Sequence, residues 1–368
     1  MYARPTLAGR TIILEGLIFV HLFLLGFFCL KAVSVVTSSK RAVVPENMSI
    51  RIATYNLRFD SMPDNITVAQ TLAALPDPLT APTFLGKTGE QPWSTRRIKV
   101  WQDLMSEGVV LFGVQEGLVR QVNDLATLLG PDWEWIGVGR DDGKQAGEFS
   151  AIFFNKNFIE LREWDTFWLS LTPFDVSRFP GAGSLRICTA SRMTLKTSNG
   201  NVNFSYLNTH LDDQSDGQRR LGASLILQRA KFEAFNSSGG PVIVTGDFNS
   251  PSVGTDSGAY MIATGELPPE AINATFAQTF AVPNGTLTDF VLDDLKAQAP
   301  RSSIGGNFAT FTGFNAPGDT SSFTRIDFVF GGSNGKWNAT QYKVGTSLTD
   351  DGVLASDHRP VFADITLL

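Results

Sequence analysis

The sequence predicts an α+β fold of two mixed, mostly antiparallel sheets packed face to face, with helices on the outside. Three observations point there. Short runs of alternating or wholly apolar residues, bounded by Gly, Pro, Asn or Asp, outnumber the helical patterns. Neighbouring runs are joined by turn signals, most clearly Asn199-Gly200, a dipeptide that favours a tight hairpin. The helical segments are too few to supply the crossovers that a doubly wound parallel sheet requires. With 368 residues, 43% of them apolar and 18% charged, the chain has ample material for a large core.

Residues 1–40 read as a unit apart from the body at 41–368. Arg4 and Arg10 precede an apolar stretch from Gly16 to Leu30, interrupted by His21 and bounded by Glu15 and Lys31. As a helix it rises roughly 22 Å, short of the roughly 30 Å hydrocarbon core and at the upper limit of a signal-peptide core. Ala32-Val33-Ser34 offers small residues spaced for signal peptidase, whereas residues 11–36 together make a tilted membrane anchor that carries Glu15, His21 and Lys31 near its ends. Signal peptide and anchor are both compatible with this pattern; a buried core helix fits less well, because the stretch is apolar on every side. Asn-x-Ser/Thr sequons stand at Asn47, Asn65, Asn203, Asn236, Asn273, Asn284 and Asn338. Composition alone gives about three, so the expected location is the secretory pathway, with the body extracellular or anchored on the luminal side. Of the two cysteines, Cys29 and Cys188, only one lies in the body, which excludes a disulfide within it.

The body opens with an alternating strand at 49–57 that ends on Asn56. Residues 62–91, rich in Pro, Thr and Gly, read as a surface insertion. Ser94 is expected to cap a helix with Ile98, Trp101 and Met105 along one stripe. The apolar run 109–116 ends on Glu116 and is followed by a helix that turns Val122, Leu125, Leu128 and Leu129 inward. Residues 133–140 and 148–155 read as strands, the second opened by Glu148, and 158–170 as a longer one. The pair 185–196 and 201–211 forms the hairpin around Asn199-Gly200, and its second strand carries His210. A helix at 217–236, with Leu221, Leu225, Phe232 and Phe235 inward, leads into a strand at 241–245. Residues 251–322 read as loops with a short helix near 288–298, and strands at 324–330, 341–348 and 360–366 close the chain.

Polar residues gather where these strands end. Val242-Ile243-Val244 runs into Gly246 and delivers Asp247 and Asn249, with Pro251 preventing continuation. Two residues apart, the two side chains point to the same side of an extended backbone. Asp-x-Asn after a strand is also a common Asx-turn. Asn56, Glu116, Glu148, His210, Asp327, Asp357 and His358 occupy equivalent positions, and both histidines of the body belong to the set. Each alone has an ordinary structural explanation; together at strand ends they point to one shared site.

Six ordered motifs carry a resemblance: Tyr55-Asn56-Leu57, Gln115-Glu116, residues 208–212 (Asn-Thr-His-Leu-Asp), residues 246–249 (Gly-Asp-Phe-Asn), Arg325-Ile326-Asp327 and Ser356-Asp357-His358. In these the chain resembles the endonuclease/exonuclease/phosphatase superfamily over roughly 49–368, with stretches 147–152 and 167–170 similar to a bacterial and fungal branch of unassigned substrate. The resemblance implies a four-layered αββα sandwich and hydrolysis of a phosphate ester with Mg²⁺ or Mn²⁺. It implies that Glu116, with Asn56 and Asp357, holds the cation. Asp247 would activate the water, Asn249 would contact the phosphoryl oxygen, and Asp327 would keep His358 protonated. His210, oriented by Glu148, would stand near the leaving group as a general acid. Arg186 is expected to contact phosphate, and Asp212 either backs His210 or solvates its loop.

Several readings stay open at this level. The substrate is a nucleic acid, a phospholipid or a small phosphoester such as a sugar or inositol phosphate, and the chain is expected to act as a monomer. Removing residues 1–40, which hold four basic and one acidic residue, turns 30 basic against 36 acidic into 26 against 35, a net charge of −9 for the body. Such a body disfavours a sequence-blind grip on duplex nucleic acid, which draws its free energy from neutralising phosphates. An inactive binding module on the same fold is the alternative from another class. It is disfavoured because both body histidines and Asp247 are present.

Overall fold

The computed structural model describes residues 49–84, 89–198, 200–237, 239–316 and 318–368. The N-terminal segment 1–40, the sequon at Asn47 and the turn residue Asn199 lie outside the described residues. Among those that are described, no helix is long and apolar enough to cross a membrane.

Among the described residues twelve strands are present: β1 (Ile50–Asn56), β2 (Leu111–Gln115), β3 (Trp133–Ile136), β4 (Ile152–Asn155), β5 (Ile159–Trp168), β6 (Ile187–Thr197), β7 (Gly200–His210), β8 (Val242–Asp247), β9 (Leu292–Asp294), β10 (Asp327–Gly332), β11 (Trp337–Val344) and β12 (Val361–Leu367). The α-helices are α1 (Val68–Ala73), α2 (Trp93–Ser106), α3 (Val119–Leu129), α4 (Asp216–Asn236), α5 (Gly258–Thr264), α6 (Ala274–Thr279) and α7 (Leu295–Gln298). The strands form two six-stranded sheets, ordered β11-β12-β1-β2-β4-β3 and β5-β6-β7-β8-β10-β9. Each is antiparallel except for one parallel pair near its centre, β1 with β2 and β7 with β8.

Alternation along the strands builds the layers. Ile50 and Ile52 of β1 and Ile243 of β8 share one buried cluster between the sheets, with Leu111, Phe204, Tyr206 and Val329. Ala53 and Tyr55 point the other way and pack beneath α2 and α3 with Trp93, Val100, Leu104, Val122 and Leu125. Val242 and Val244 likewise face outward, under Leu225 and Ile226 of α4 and Phe276 of α6. The result is a helix–sheet–sheet–helix sandwich, as expected.

Several local expectations need correction. Ser94 does not cap α2: Pro92 stands at that position, with its φ already set for a helix start, and the Ser94 hydroxyl bonds Asp64 instead. The side of α2 that is buried carries Trp93, Val100 and Leu104 as well as Ile98, while Trp101 and Met105 are half-buried. The second strand of the 133–155 region begins only at Ile152, because Phe149 bridges to both Gly117 and Gly139 and bends the chain there. The segment 288–298 divides into β9 and α7, since Leu292–Asp294 finds a partner edge in β10. Phe235 is 40% exposed rather than inward. Within the 62–91 insertion, Thr67 and Gln70 form a capping box that starts α1, and α5 and α6 interrupt the region read as loops.

Candidate active site

Sheet register assembles the polar strand ends. His210 of β7 lies opposite Asp247 of β8, and Asp247 lies opposite Asp327 of β10, so three side chains share one row across a sheet. In the other sheet, Asn56 of β1 pairs with Gln115 of β2, and Glu116 follows directly. The two rows meet at Asn56, whose Nδ2 donates to Glu116 Oε1 and to Asp247 Oδ2, both at 2.9 Å. Beneath this meeting point Asn208 crosses the sandwich, donating to the carbonyls of Val114 and Ala151 and accepting from Gln115. Gly113 is needed there, because a Cβ would lie 2.3 Å from Asn208 Oδ1.

Asp247 Oδ2 is the centre of the cluster. Besides Asn56, it has Nε2 of His210 and Nε2 of His358 each at 3.6 Å, while Asp247 Oδ1 accepts from the backbone N–H of Asn249 at 2.9 Å. His358 Nδ1 donates to Asp327 Oδ2 at 2.8 Å, and Phe311 packs edge-on against its ring. The chain holds this turn through Ser356, whose hydroxyl donates to the Asn56 carbonyl, and through Thr310, whose hydroxyl accepts from the Ile326 and Asp327 backbones. Asn249 donates to the Leu211 carbonyl and to His210 Nε2 at 3.1 Å, which leaves the His210 proton on Nδ1.

Burial and neighbouring charge divide the titratable groups. Burial raises Asp247, Asp327 adds to the effect, and the carboxyl is lifted to about 7 although His358, Asn249 and Asn56 oppose it. Burial works against a charge on His358, but Asp327 and Asp247 outweigh it and hold the imidazolium well above the ordinary histidine range. His210 shows the reverse: burial, then Arg186 and Arg140, push it well down, so it is neutral at pH 7. Such a histidine is poorly suited to donate a proton as a cation. Glu148 is pushed up to about 7, first by burial, with Arg140 opposing. Its Oε2 is 3.7 Å from His210 Nδ1 and 2.5 Å from Arg140 Nη1, so Arg140 is its principal partner.

The sequence expectations sort accordingly. Asn56, Glu116, Glu148, His210, Asp247, Asn249, Asp327, Asp357 and His358 all converge on one end of the sandwich. All but Asn56 and Asp327 line a cleft of about 750 Å³, and Arg186 lines it too. Arg186 is fixed from behind by Asp212 and Asp213. Asp212 backs its loop rather than His210, accepting from the backbones of Gly183, Ser184, Gln214 and Ser215. Sequence reasoning passed over Arg58 and Arg140. Arg140 closes an expected strand as the acidic residues do, which is the signal that could have marked it; Phe311, one of the aromatic residues of the 301–323 loop read as loop packing or as a stacking surface for a base or sugar, packs on His358 and lines the cleft.

A divalent cation is tested by the donor set. Glu116, Asp247 and His358 bring one ligand atom each within 4.8 Å of one another. A protonated His358 has no lone pair to offer, so the oxygen donors are the carboxylates, and Asp357 is raised by burial and by Glu116. Carboxylates that disfavour one another at a half-open cleft suit a hard cation. Asn56 Oδ1 accepts from the Arg58 N–H, and its amide nitrogen donates to Glu116 and Asp247 and so orients both.

Comparison with known proteins adds the family. The model of the Endonuclease/Exonuclease/phosphatase family matches residues 53–358. The chain belongs to this family. Among solved structures, an endonuclease/exonuclease/phosphatase from Bacteroides vulgatus is 28% identical, with TM-score 0.64, covering 87% of this chain and 99% of that one. A family protein from Bacteroides thetaiotaomicron (24% identical, TM-score 0.60, 87% and 98% covered) and the mannosyl-6-phosphatase Bt3783 of the same organism (24%, 0.61, 87% and 100%) share the fold. No curated protein matches the chain significantly in sequence. Family members act on phosphoesters, and the αββα sandwich seen here is consistent with the family fold.

Proposed function

We propose that the protein is a divalent-metal-dependent hydrolase of phosphate esters that uses in-line attack of water. The observation that carries this reading is Asp247 Oδ2, held by Asn56 and flanked at 3.6 Å by a neutral His210 and a protonated His358. A carboxyl lifted to about 7 is matched to taking a proton from water near neutral pH. His358, kept charged by Asp327, stabilises the negative charge that grows on the phosphoryl oxygens, and Asn249 orients the same group. Glu116 and Asp357 would hold Mg²⁺ or Mn²⁺, with Asn56 fixing Glu116. When bound, the cation supplies Lewis-acid stabilisation of phosphate charge. His210 is a neutral hydrogen-bonding wall on the leaving-group side, in place of the general acid expected from the sequence. The acidic body and the half-open cleft favour small or single-stranded esters over duplex nucleic acid. Residues 1–40 are read as a signal peptide or anchor that delivers the body to the secretory pathway.

The test is a panel with the full chain and Mg²⁺: single- and double-stranded DNA, RNA, sphingomyelin, and sugar and inositol phosphates. His358→Ala is expected to lower kcat by about 10²–10³ on whichever ester is cleaved. EDTA should abolish turnover and added Mg²⁺ or Mn²⁺ should restore it. Hydrolysis indifferent to chelation would falsify the metal-dependent reading, and undiminished turnover by His358→Ala would remove His358 from the mechanism.

A further inference from the structure

The ribbon that carries His358 has a second side. Phe311 bridges to both Thr324 and His358, and all three line the reaction cleft together with Asp357. Their neighbours in the chain, Thr312, Phe323 and Arg359, border a separate cavity of about 310 Å³. Leu348 and Leu354, which bridge to each other, add to a mostly apolar lining. The volume lies at the lower end of small-molecule sites, which span about 300–1,000 Å³.

Arg359 is the anomaly in this lining. Among the described residues every other arginine that is not exposed either meets a carboxylate or, like Arg96, is saturated by backbone carbonyls. Arg359 makes one long bond, from Nη1 to the Ala309 carbonyl at 3.4 Å, and its Nε and Nη2 have no partner among the described residues. The guanidinium lies over the Phe323 ring, 5.0 Å from its centroid. Burial works against its charge and lowers it, with no neighbouring acid to offset the effect. Asp319, the acidic residue on the cavity border, is exposed and already accepts from the Ser321 N–H. A half-buried cation among apolar walls is costly until an anion answers it.

We propose that this cavity binds a small monocarboxylate with a compact apolar body, its carboxylate on Arg359 and its body against Phe323, Leu348 and Leu354. One guanidinium presents a planar fork that matches one carboxylate, whereas a phosphate monoester brings about −1.5 to −2 charges to a single cation. The site is separate from the reaction cleft and does not depend on the phosphoester reading. A bound carboxylate packs on the reverse of the turn that positions His358, where the Arg359 N–H donates to the Thr310 carbonyl and the Asp357 carbonyl accepts from the N–H groups of Thr312 and Gly313.

The experiment is isothermal titration calorimetry of the full chain with octanoate, 1-octanol and acetate. Octanoate is expected to bind at least about tenfold more tightly than 1-octanol, and acetate too weakly to saturate. Arg359→Gln should bring octanoate to the level of 1-octanol, and Arg359→Lys should recover part of the difference. Phe323→Ala, at a side chain 39% exposed, should weaken both ligands while leaving the urea midpoint in place. Arg186→Gln, in the reaction cleft, should leave octanoate binding unchanged. Equal affinity for octanoate and 1-octanol, no saturation by octanoate at millimolar concentration, or loss of octanoate binding with Arg186→Gln overturns the site. Should Arg359→Gln fail to fold, Phe323→Ala decides: octanoate bound as tightly as by the unaltered chain overturns the site as well.

Discussion

Arg58, Glu116 and Asn249 hold φ at 56°, 60° and 45°, in the left-handed region that ordinary residues avoid. Each costs about 1–3 kcal/mol, and all three stand where a strand leaves its sheet for the cleft, which is where strain serves to aim a side chain. The proton on Asp247 acts at the same scale. With the Asp247 carboxylate as the proposed base, kcat/KM is expected to climb about tenfold per unit below pH 7 and to level above it. A pH–rate profile flat from 5 to 8 would contradict this. The same shift acts on stability in the opposite sense. A carboxyl raised in the fold contributes stability that is complete below its unfolded value and lost as pH rises through about 7. Asp247→Asn should therefore raise the unfolding free energy at pH 8 by about 1–3 kcal/mol, with a smaller gain at pH 5, as measured by urea denaturation.

At the scale of elements, α2 fastens the loops that carry the site. Buried Arg96 donates to the carbonyls of Leu57, Arg58, Phe59, Gln91 and Ala355, joining the exit of β1 to the turn before Asp357. Arg96→Met leaves these acceptors unpaired and is expected to cost about 3 kcal/mol, read from the urea midpoint. Activity at temperatures where the variant is folded should fall further than stability alone explains, and Arg96→Lys should recover less than half because it lacks the planar fork. Much of the site was legible at this level because an apolar run that ends on Asn56, Glu116, His210 or Asp247 marks a strand surfacing with a polar group attached. Cross-chain pairing was not legible. Nothing local in the sequence ties Glu148 to Arg140 rather than to His210, and the start of α2 depends on the fixed φ of Pro92, which outcompetes the hydroxyl of Ser94. Asn273 looks like a glycan acceptor yet caps α6, with Oδ1 accepting from Phe276 and Nδ2 donating to Leu171.

For the whole molecule, register locates the sequons. Asn203 lies toward the end of β7 remote from His210, Asn338 pairs with Thr366 at the far end of β12, and Asn236 ends α4 just before β8 begins. All three are exposed and distant from the cleft along their elements. Expressed from its own N-terminus in a eukaryotic secretory host, the chain should lose mass on endoglycosidase treatment, with Asn236→Gln and Asn338→Gln each removing one glycan and leaving activity intact. Asn273→Gln should instead lower stability by about 1 kcal/mol with no change in glycan mass.

Among the described residues β1 is the first strand and β12 the last, yet they lie side by side, and each brings part of one polar cluster: Asn56 from the first, Ser356, Asp357 and His358 from the turn before the last. A chain emerging from the ribosome therefore carries Asn56 and Glu116 long before it has His358 to complete them. The site is therefore assembled only once the last strand has paired with the first.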